Sequence, residues 1–324
     1  MSNLIDPFKR RIAYLRLSVT DFCNYRCVYC LPDGYQACGN PNDLTIPEIA
    51  TLVRGFAESG TQKIRLSGGE PTLRRDITDI VRICAEQPGI KKVALTTNGH
   101  RLEKLYQPLH DAGVAQFNVS IDSFNADTFA KMTGKNALHS ILRGVEQMLD
   151  YGCHVKLNAL LMKETADEVI DDTLAFVKQR PITMRFIELM RTGDNEALFK
   201  KSHVSAATIT ERLIREGWTL RERSPMAGPA KEFTHPDYLG GIGIIAPYSK
   251  DFCASCNRLR VTSSGKMHLC LFDSLAYDLR RWLIEEDVAG LKAQLQRLLI
   301  HKPATHHLHE DNPGIMRHLS QIGG

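Results

Sequence analysis

The chain has 324 residues, 43% of them hydrophobic, and a net charge of +4. That length can bury a sizeable core and suits about two domains, or one barrel with an extension. The small charge excludes a chain built throughout to coat nucleic acid, and no apolar run approaches the ~18 residues of a helical membrane span. The first residues carry Lys9, Arg10, Arg11 and Arg16 without a continuous apolar segment, so a soluble cytoplasmic protein is expected.

In chain order, short β-branched runs alternate with helical patterns. Strands are predicted over 11–19, 63–67, 92–96, 117–121, 154–161 and 183–189. Helices are predicted over 46–59, 75–87, 101–112, 137–151 and 166–179, the first opened by a capping box of Thr45 and Glu48 with Pro47 in the first turn. Strands joined by crossover helices at this spacing predict an α/β protein, an incomplete (β/α)6 TIM-like barrel. Past residue 190 the alternation fades into a helix at 206–218, a strand at 240–247 and a hairpin at 257–271 turning at Ser264 and Gly265. The expected organisation is therefore a barrel over 1–190 and an α+β extension over 191–324, packed against the barrel and offering its residues to the same rim.

The polar motifs fall in phase with the strands. "TDFCNYRCVYC" follows the first, "GGEP" (68–71) the second, "TNG" (97–99) the third, and Asp122 with Ser123 the fourth. In a barrel of parallel strands these ends share one rim, where loops converge on a site.

Nine cysteines in a chain with no export signal point to metal ligands or catalysts more than to disulfides. Cys23, Cys27 and Cys30 form one group, and Cys253, Cys256 and Cys270 a second. Cys84 and Cys153 read as small core residues, and Cys38, in a loop eight residues past Cys30, stays open as a ligand on spacing alone. Three thiolates can hold a [4Fe–4S] cube with one iron left open to a small molecule. Structural zinc takes four ligands; nothing in the first loop supplies a fourth, whereas His268 could complete the second group.

"CNYRCVYC" followed by "SGGEP" resembles the radical S-adenosylmethionine (radical SAM) superfamily. Together with "YLRLSVTDFCNYRCVYCLPDG", "KIRLSGGEPTLRRD", "TTNG", "RFIELM", "DFCASCNRLRVTSSGKMHLCLF" and the terminal "IGG", it is similar over nearly its whole length to the GTP 3′,8-cyclase family of molybdenum cofactor biosynthesis. Ser67 stands where a threonine is common. The resemblance implies a lyase with two [4Fe–4S] clusters, the first held by Cys23, Cys27 and Cys30, the second, with an open iron meeting the guanine of GTP, by Cys253, Cys256 and Cys270. It implies reductive cleavage of S-adenosylmethionine at the first cluster, removal of the 3′ hydrogen of GTP, and closure of the resulting carbon radical onto C8. The cofactors carry the hard chemistry while the protein binds and orients.

The resemblance also distributes roles. Tyr29, Gly68, Gly69, Glu70, Ser120 and Met190 would contact S-adenosylmethionine; taken alone, Tyr29 and Met190 would be ordinary buried residues. Arg16, Arg65, Lys156 and Arg185 stand in otherwise apolar strands, where a charge is costly unless it is salt-bridged or faces a ligand. Arg258 and Arg260, two apart on a predicted strand, point to one face, and their guanidinium forks suit phosphate oxygens. Lys63, Thr96 and Leu259 join the substrate set by the family mapping. The terminal Gly323 and Gly324 would reach the active site with Arg258 and Arg260, anchored by an apolar stripe of Ile315, Leu319 and Ile322 at helical spacing. Expected partners are GTP, an electron donor of the reductase, flavodoxin or ferredoxin type, the next enzyme of the pathway (cyclic pyranopterin monophosphate synthase) and a second copy in a homodimer, with no nucleic acid and no membrane. Two rivals share part of the pattern: a peptide-modifying radical enzyme with an auxiliary cluster, and a zinc-stabilised nucleic-acid-binding protein.

Overall fold

The structure, a computed structural model, describes residues 3–36, 42–224, 226–273, 275–310 and 314. Cys38, Gly323, Gly324 and the stripe of Ile315, Leu319 and Ile322 lie outside them.

All six predicted strands form, as β1 (Tyr14–Ser18), β2 (Lys63–Ser67), β3 (Lys92–Thr97), β4 (Val114–Ser120), β5 (Val155–Leu161) and β6 (Thr183–Glu188). Each pairs in parallel with the next. The helices between them are α1 (Ile46–Glu58), α2 (Ile77–Glu86), α3 (Leu102–Asp111), α4 (Ala126–Thr133), α5 (Leu138–Asp150) and α6 (Ala166–Lys178). The capping box of α1 is present: Thr45 Oγ1 accepts from Glu48 N, and the Glu48 carboxylate accepts from Thr45 N. Helix α4 is an addition to the predicted elements. Asn125 caps it by accepting from the backbone N–H groups of Asp127 and Thr128, and Gly134 ends it in the left-handed conformation at φ 70°.

The expected extension does more than pack against the barrel. After α7 (Glu196–Ser202) and α8 (Ala206–Arg215) come β7 (Thr219–Leu220), β8 (Lys231–Thr234), β9 (Gly241–Ile245), β10 (Arg258–Val261), β11 (Lys266–His268) and β12 (Tyr277–Asp278). Strand β9 pairs in parallel with β6, and β10 in parallel with β1, so the extension lengthens the barrel sheet at both edges. Eight parallel strands thus run in the order β10-β1-β2-β3-β4-β5-β6-β9, flanked by the antiparallel strands β12-β11 and β8-β7. The sheet stays open: among the described residues β9 and β10 do not pair. The predicted (β/α)6 core stands as an incomplete TIM-like barrel, with its two further parallel strands drawn from the C-terminal part. The reason is physical, since unpaired parallel edges of a buried sheet leave backbone groups unsatisfied.

Alternation sorts the strand side chains. Leu15, Leu17, Ile64, Leu66, Leu157 and Val261 face outward into the main core under the helices. The opposite face looks into the barrel and is polar: Arg16, Arg65, Asn118, Arg185, Arg258 and Arg260 are all buried there. Cys84 and Cys153 lie in the main core, as predicted. Helices α9 (Arg280–Ile284) and α10 (Val288–Leu299) cover α1, and Lys292 Nζ of α10 meets Glu58 at 2.9 Å.

Candidate functional site

The first cysteine loop is strapped to the ends of neighbouring elements. Arg26 N donates to Thr133 O at 3.0 Å and Val28 N to Met132 O at 3.0 Å, so the C-terminal turn of α4 holds the loop from one side. From the other side, Gly69 N donates to Thr20 O at 2.9 Å and Glu70 N to Phe22 O at 2.8 Å. Here the glycines are required by backbone contact. A Cβ on Gly68 would lie 2.2 Å from the Thr20 oxygen and one on Gly69 2.2 Å from the Phe22 oxygen, and Gly68 has φ +136°. Glu70 is fully buried: its carboxylate accepts from Thr72 N (3.0 Å), Thr72 Oγ1 (2.6 Å), Thr97 Oγ1 (2.8 Å) and Asn98 N (2.6 Å). It therefore ties the ends of β2 and β3 together beside the loop.

Within the loop, Cys30 N and Leu31 N both donate to Cys27 O. Cys23, Cys27 and Cys30 are free thiols, each partly buried. Burial raises the pKa of Cys23 and Cys27, and Asp122 and the neighbouring thiols raise that of Cys27 further. A positively charged iron centre would stabilise the three as thiolates, offsetting the burial that holds Cys23 and Cys27 neutral. Tyr29 donates its hydroxyl to Asp122 Oδ2 at 2.8 Å, and Asp122 Oδ1 accepts from Leu160 N at 3.0 Å, fixing the ring beside Met132, Met162 and Leu189. Ser120 ends β4, paired in register with Asn158. Met190 is not a main-core residue: it forms a small apolar cluster with Phe272 and Leu308, against which Cys30 and Cys270 both pack. One cysteine of each trio therefore meets the same cluster.

The second trio surrounds the inner cavity of the barrel. Cys253, Cys256 and Cys270 line it with Phe252, Met190 and His306. Burial alone would raise the Cys256 thiol, but the Arg258 and Lys302 charges and hydrogen bonds from Arg258 lower it to about 6. Lys302 is 3% exposed; its ammonium donates to Arg258 O at 3.2 Å and to Leu269 O, joining the two segments that carry Cys256 and Cys270. His268, the candidate fourth zinc ligand, is not among the cavity's lining residues. Among the described residues, no three His, Cys, Asp or Glu side chains converge closely enough for one metal ion. Three thiolates leave a tetrahedral zinc site one ligand short but suit an iron–sulfur cube with one open iron, so the donor sets fit clusters better than a mononuclear zinc site.

Arg16, Arg65, Thr96, Arg185, Arg258 and Arg260 line the same cavity, about 90 Å³ in volume. Burial lowers Arg16, Arg65 and Arg185 each to about 10. Among the described residues, the Nε groups of Arg65 and Arg185, Thr96 Oγ1 and Asn158 Oδ1 are buried without a hydrogen-bond partner. The orphaned Arg65 and Arg185 Nε–H groups and the Thr96 hydroxyl, beside several buried cations, form a cradle suited to a polyanion with many acceptor oxygens. Arg65 and Arg185 also line a second cavity of about 1150 Å³, ample for a nucleoside triphosphate. That cavity takes in Lys63, Lys92, His154 and Lys156. Lys63 Nζ donates to Met226 O at 3.2 Å, and Lys156 is ion-paired with Glu232. Leu259 turns away from its neighbours Arg258 and Arg260, and its side chain lies in the main core.

Several residues escaped the sequence reading. Asn118, whose Oδ1 accepts from Arg185 and from Gln116 Nε2 (2.7 Å), has no signal beyond being polar in an apolar strand. Tyr14 had one: it stands two residues before Arg16 and so shares its face. His306 and Lys302 come from a segment with no regular pattern, and only the fold brings them to the second trio.

An open barrel of parallel strands, with a three-cysteine loop after β1 and a glycine-glutamate turn after β2, defines the class as radical SAM. Residues 17–177 match the Radical SAM superfamily and residues 182–308 the family Molybdenum Cofactor Synthesis C. The fold is similar to that of the S-adenosylmethionine-bound Streptococcus suis SuiB, with TM-score 0.66 and 11% identity over 97% of this chain and 77% of that one. It is also similar to AdoMet-bound anSMEcpe, with TM-score 0.54 and 14% identity over 89% of this chain and 84% of that one. The chain is 49% identical to the GTP 3′,8-cyclase of Cronobacter sakazakii, covering 100% of this chain and 99% of that one. It is 48% identical to that of Haemophilus influenzae, covering 100% and 97%. The chain belongs to the GTP 3′,8-cyclase family.

Proposed function

We propose that this protein converts GTP to 3′,8-cyclo-7,8-dihydro-GTP, the first step of molybdenum cofactor biosynthesis, using S-adenosylmethionine and two [4Fe–4S] clusters. The observation that carries this reading is the single cavity lined by five buried arginines and by the second cysteine trio, with the first trio meeting it through the Met190 cluster.

Cys23, Cys27 and Cys30 would hold one cluster, and Cys253, Cys256 and Cys270 the other. When bound, the first cluster with S-adenosylmethionine would supply reductive radical chemistry for hydrogen removal at the substrate. Gly68, Gly69 and Glu70 shape the turn against which the methionine end rests, and Tyr29, Ser120 and Met190 line the same end of the barrel. Arg16, Arg65, Arg185, Arg258 and Arg260 neutralise the triphosphate, Lys63 and Lys156 extend that charge outward, and Thr96 adds a hydroxyl. The buried arginines are held by β-strands, so they present a preorganised field rather than flexible surface charges. Residues 1–190 act as the radical-generating half and 191–324 as the substrate-side half, and Gly323 and Gly324 complete the site with Arg258 and Arg260. Leu259 serves through its place between those arginines.

An electron donor of the reductase, flavodoxin or ferredoxin type supplies the reducing equivalent, and cyclic pyranopterin monophosphate synthase takes the product. A homodimer and a cytoplasmic location fit this reading. Among the described residues, no helix is long and apolar enough to cross a membrane.

The test is anaerobic purification, iron and sulfide analysis, and incubation with GTP, S-adenosylmethionine and a reductant. Formation of the cyclised nucleotide with loss of the 3′ hydrogen is expected. Cleavage of S-adenosylmethionine in the presence of GTP with no GTP-derived product would overturn the reading.

A further inference from the structure

Beneath the arginines lies one acidic side chain that the reaction does not use. Tyr14 is 1% exposed and stands on β1 with its neighbours in register, Arg258 on β10 and Lys63 on β2, to either side. Lys63 Nζ lies 4.8 Å and Arg65 Cζ 5.7 Å from the centre of its ring. Arg16, two residues on, shares its face. The hydroxyl lies close to the guanidiniums of Arg16 and Arg65 without closing a hydrogen bond of ordinary geometry to either.

The wider circle has the same sign. Lys92 on β3, Arg185 on β6 and Arg260 on β10 also feel the Tyr14 charge. The nearby carboxylate, Glu232 on β8, is taken up by its ion pair with Lys156 on β5. A phenol is therefore the acidic group placed at the centre of a cation cluster built for a triphosphate.

We propose that Tyr14 is the resident counter-anion of the substrate cradle, ionised while the cradle holds no triphosphate and protonated when triphosphate binds, so that GTP binding takes up a proton from solvent. This rests on the substrate-site reading given above. Burial on its own would raise the Tyr14 pKa, but Arg65, Arg16, Lys63 and Arg258 lower it to about 7. A triphosphate cancels those charges, so the phenol returns toward its ordinary value of about 10 and its oxygen is reprotonated. No bond other than that O–H forms or breaks.

The sign follows. With a free-state pKa below the bound-state pKa, affinity for GTP falls as pH rises between them, by up to about tenfold per unit. The phenolate competes for the arginines, and removing it favours the ligand at alkaline pH.

The test uses anaerobic, cluster-loaded protein with GTP and no reductant, in calorimetric titrations in buffers of different ionisation enthalpy at about pH 8. The expected result is that wild type takes up close to one proton more than Tyr14→Phe, whose GTP affinity is higher and less dependent on pH. Ionisation of the GTP phosphates is common to both proteins and cancels. If the variant fails to load clusters, Lys63→Met decides instead: burial lowers Lys63 itself to about 8, so a fall in GTP affinity between about pH 7.5 and 8.5 that persists without that lysine is expected, and a flat profile in Lys63→Met would overturn the proposal. Equal proton uptake by two proteins that both bind GTP would overturn the proposal alone, whereas wild type that binds no GTP would overturn the substrate-site reading as well.

Discussion

Arg258 and Arg260 are buried charges whose exposure, 9% and 7%, is too low for water to satisfy them fully. Their side chains line the cavity while the strand backbone pairs with β1, so shortening Arg260 should spare the cluster loop, whereas Arg258 also lowers Cys256 and its loss is expected to cost part of the second cluster's iron. Arg258→Ala and Arg260→Ala are each expected to weaken GTP binding by about ten- to a hundredfold, the loss of one charge-assisted contact worth roughly 1.5–3 kcal/mol. Unaltered iron content in the Arg260→Ala preparation separates this from misfolding. Gly69 fails differently. Its added methyl would press on the Phe22 carbonyl at 2.2 Å, and that oxygen belongs to the loop leading into Cys23. Because the obstacle is backbone, Gly69→Ala should displace the loop, costing on the order of 1–3 kcal/mol and abolishing S-adenosylmethionine cleavage with the second cluster retained. Normal cleavage by this variant would show that the loop can yield.

At the scale of elements, the second cysteine trio is assembled from two segments that the β10–β11 hairpin brings together. Lys302, from the segment after α10, joins them through the carbonyls of Arg258 and Leu269. Replacing it with methionine keeps the bulk but leaves those buried carbonyls short of a donor, a penalty of about 1–3 kcal/mol for each group left unsatisfied. It also removes one of the positive charges that lower Cys256. Lys302→Met is therefore expected to lose iron toward half the wild-type content while still cleaving S-adenosylmethionine; full iron content measured anaerobically would assign Lys302 a packing role only. Helix α4 acts similarly for the first trio, since its last turn accepts from the backbone of Arg26 and Val28.

For the molecule as a whole, the two trios belong to separate stretches of chain yet meet one apolar cluster through Cys30 and Cys270. Their metal centres should be separable. Replacing Cys253, Cys256 and Cys270 together with alanine is expected to remove about half of the iron, keep the first cluster's reductive cleavage of S-adenosylmethionine and stop GTP cyclisation. Stoichiometric zinc without iron in anaerobically prepared wild type would contradict the cluster reading of both trios.

The alternation of strand and helix, the capping box at Thr45 and the phase of the cysteine and glycine motifs were legible because they are local: periodicity and caps depend on residues a few positions apart. So was the pairing of Arg258 with Arg260 on one face, which needs only the two-residue period of a strand. Helix α4 was missed because it is short and its signal lies in the Asn125 cap and Gly134 rather than in a long apolar stripe. The places of β9 and β10 at opposite edges of one sheet, the ion pair of Lys156 with Glu232 and the approach of Lys302 to the second trio were decided by tertiary structure. Each depends on contacts between segments far apart in the chain. Sequence alone thus determined which residues carry charge and thiol chemistry and on which side of each strand they fall; only the packing of the open sheet with its extension decided which charges are paired with one another and which remain for a ligand, because burial removes the water that would otherwise satisfy them all.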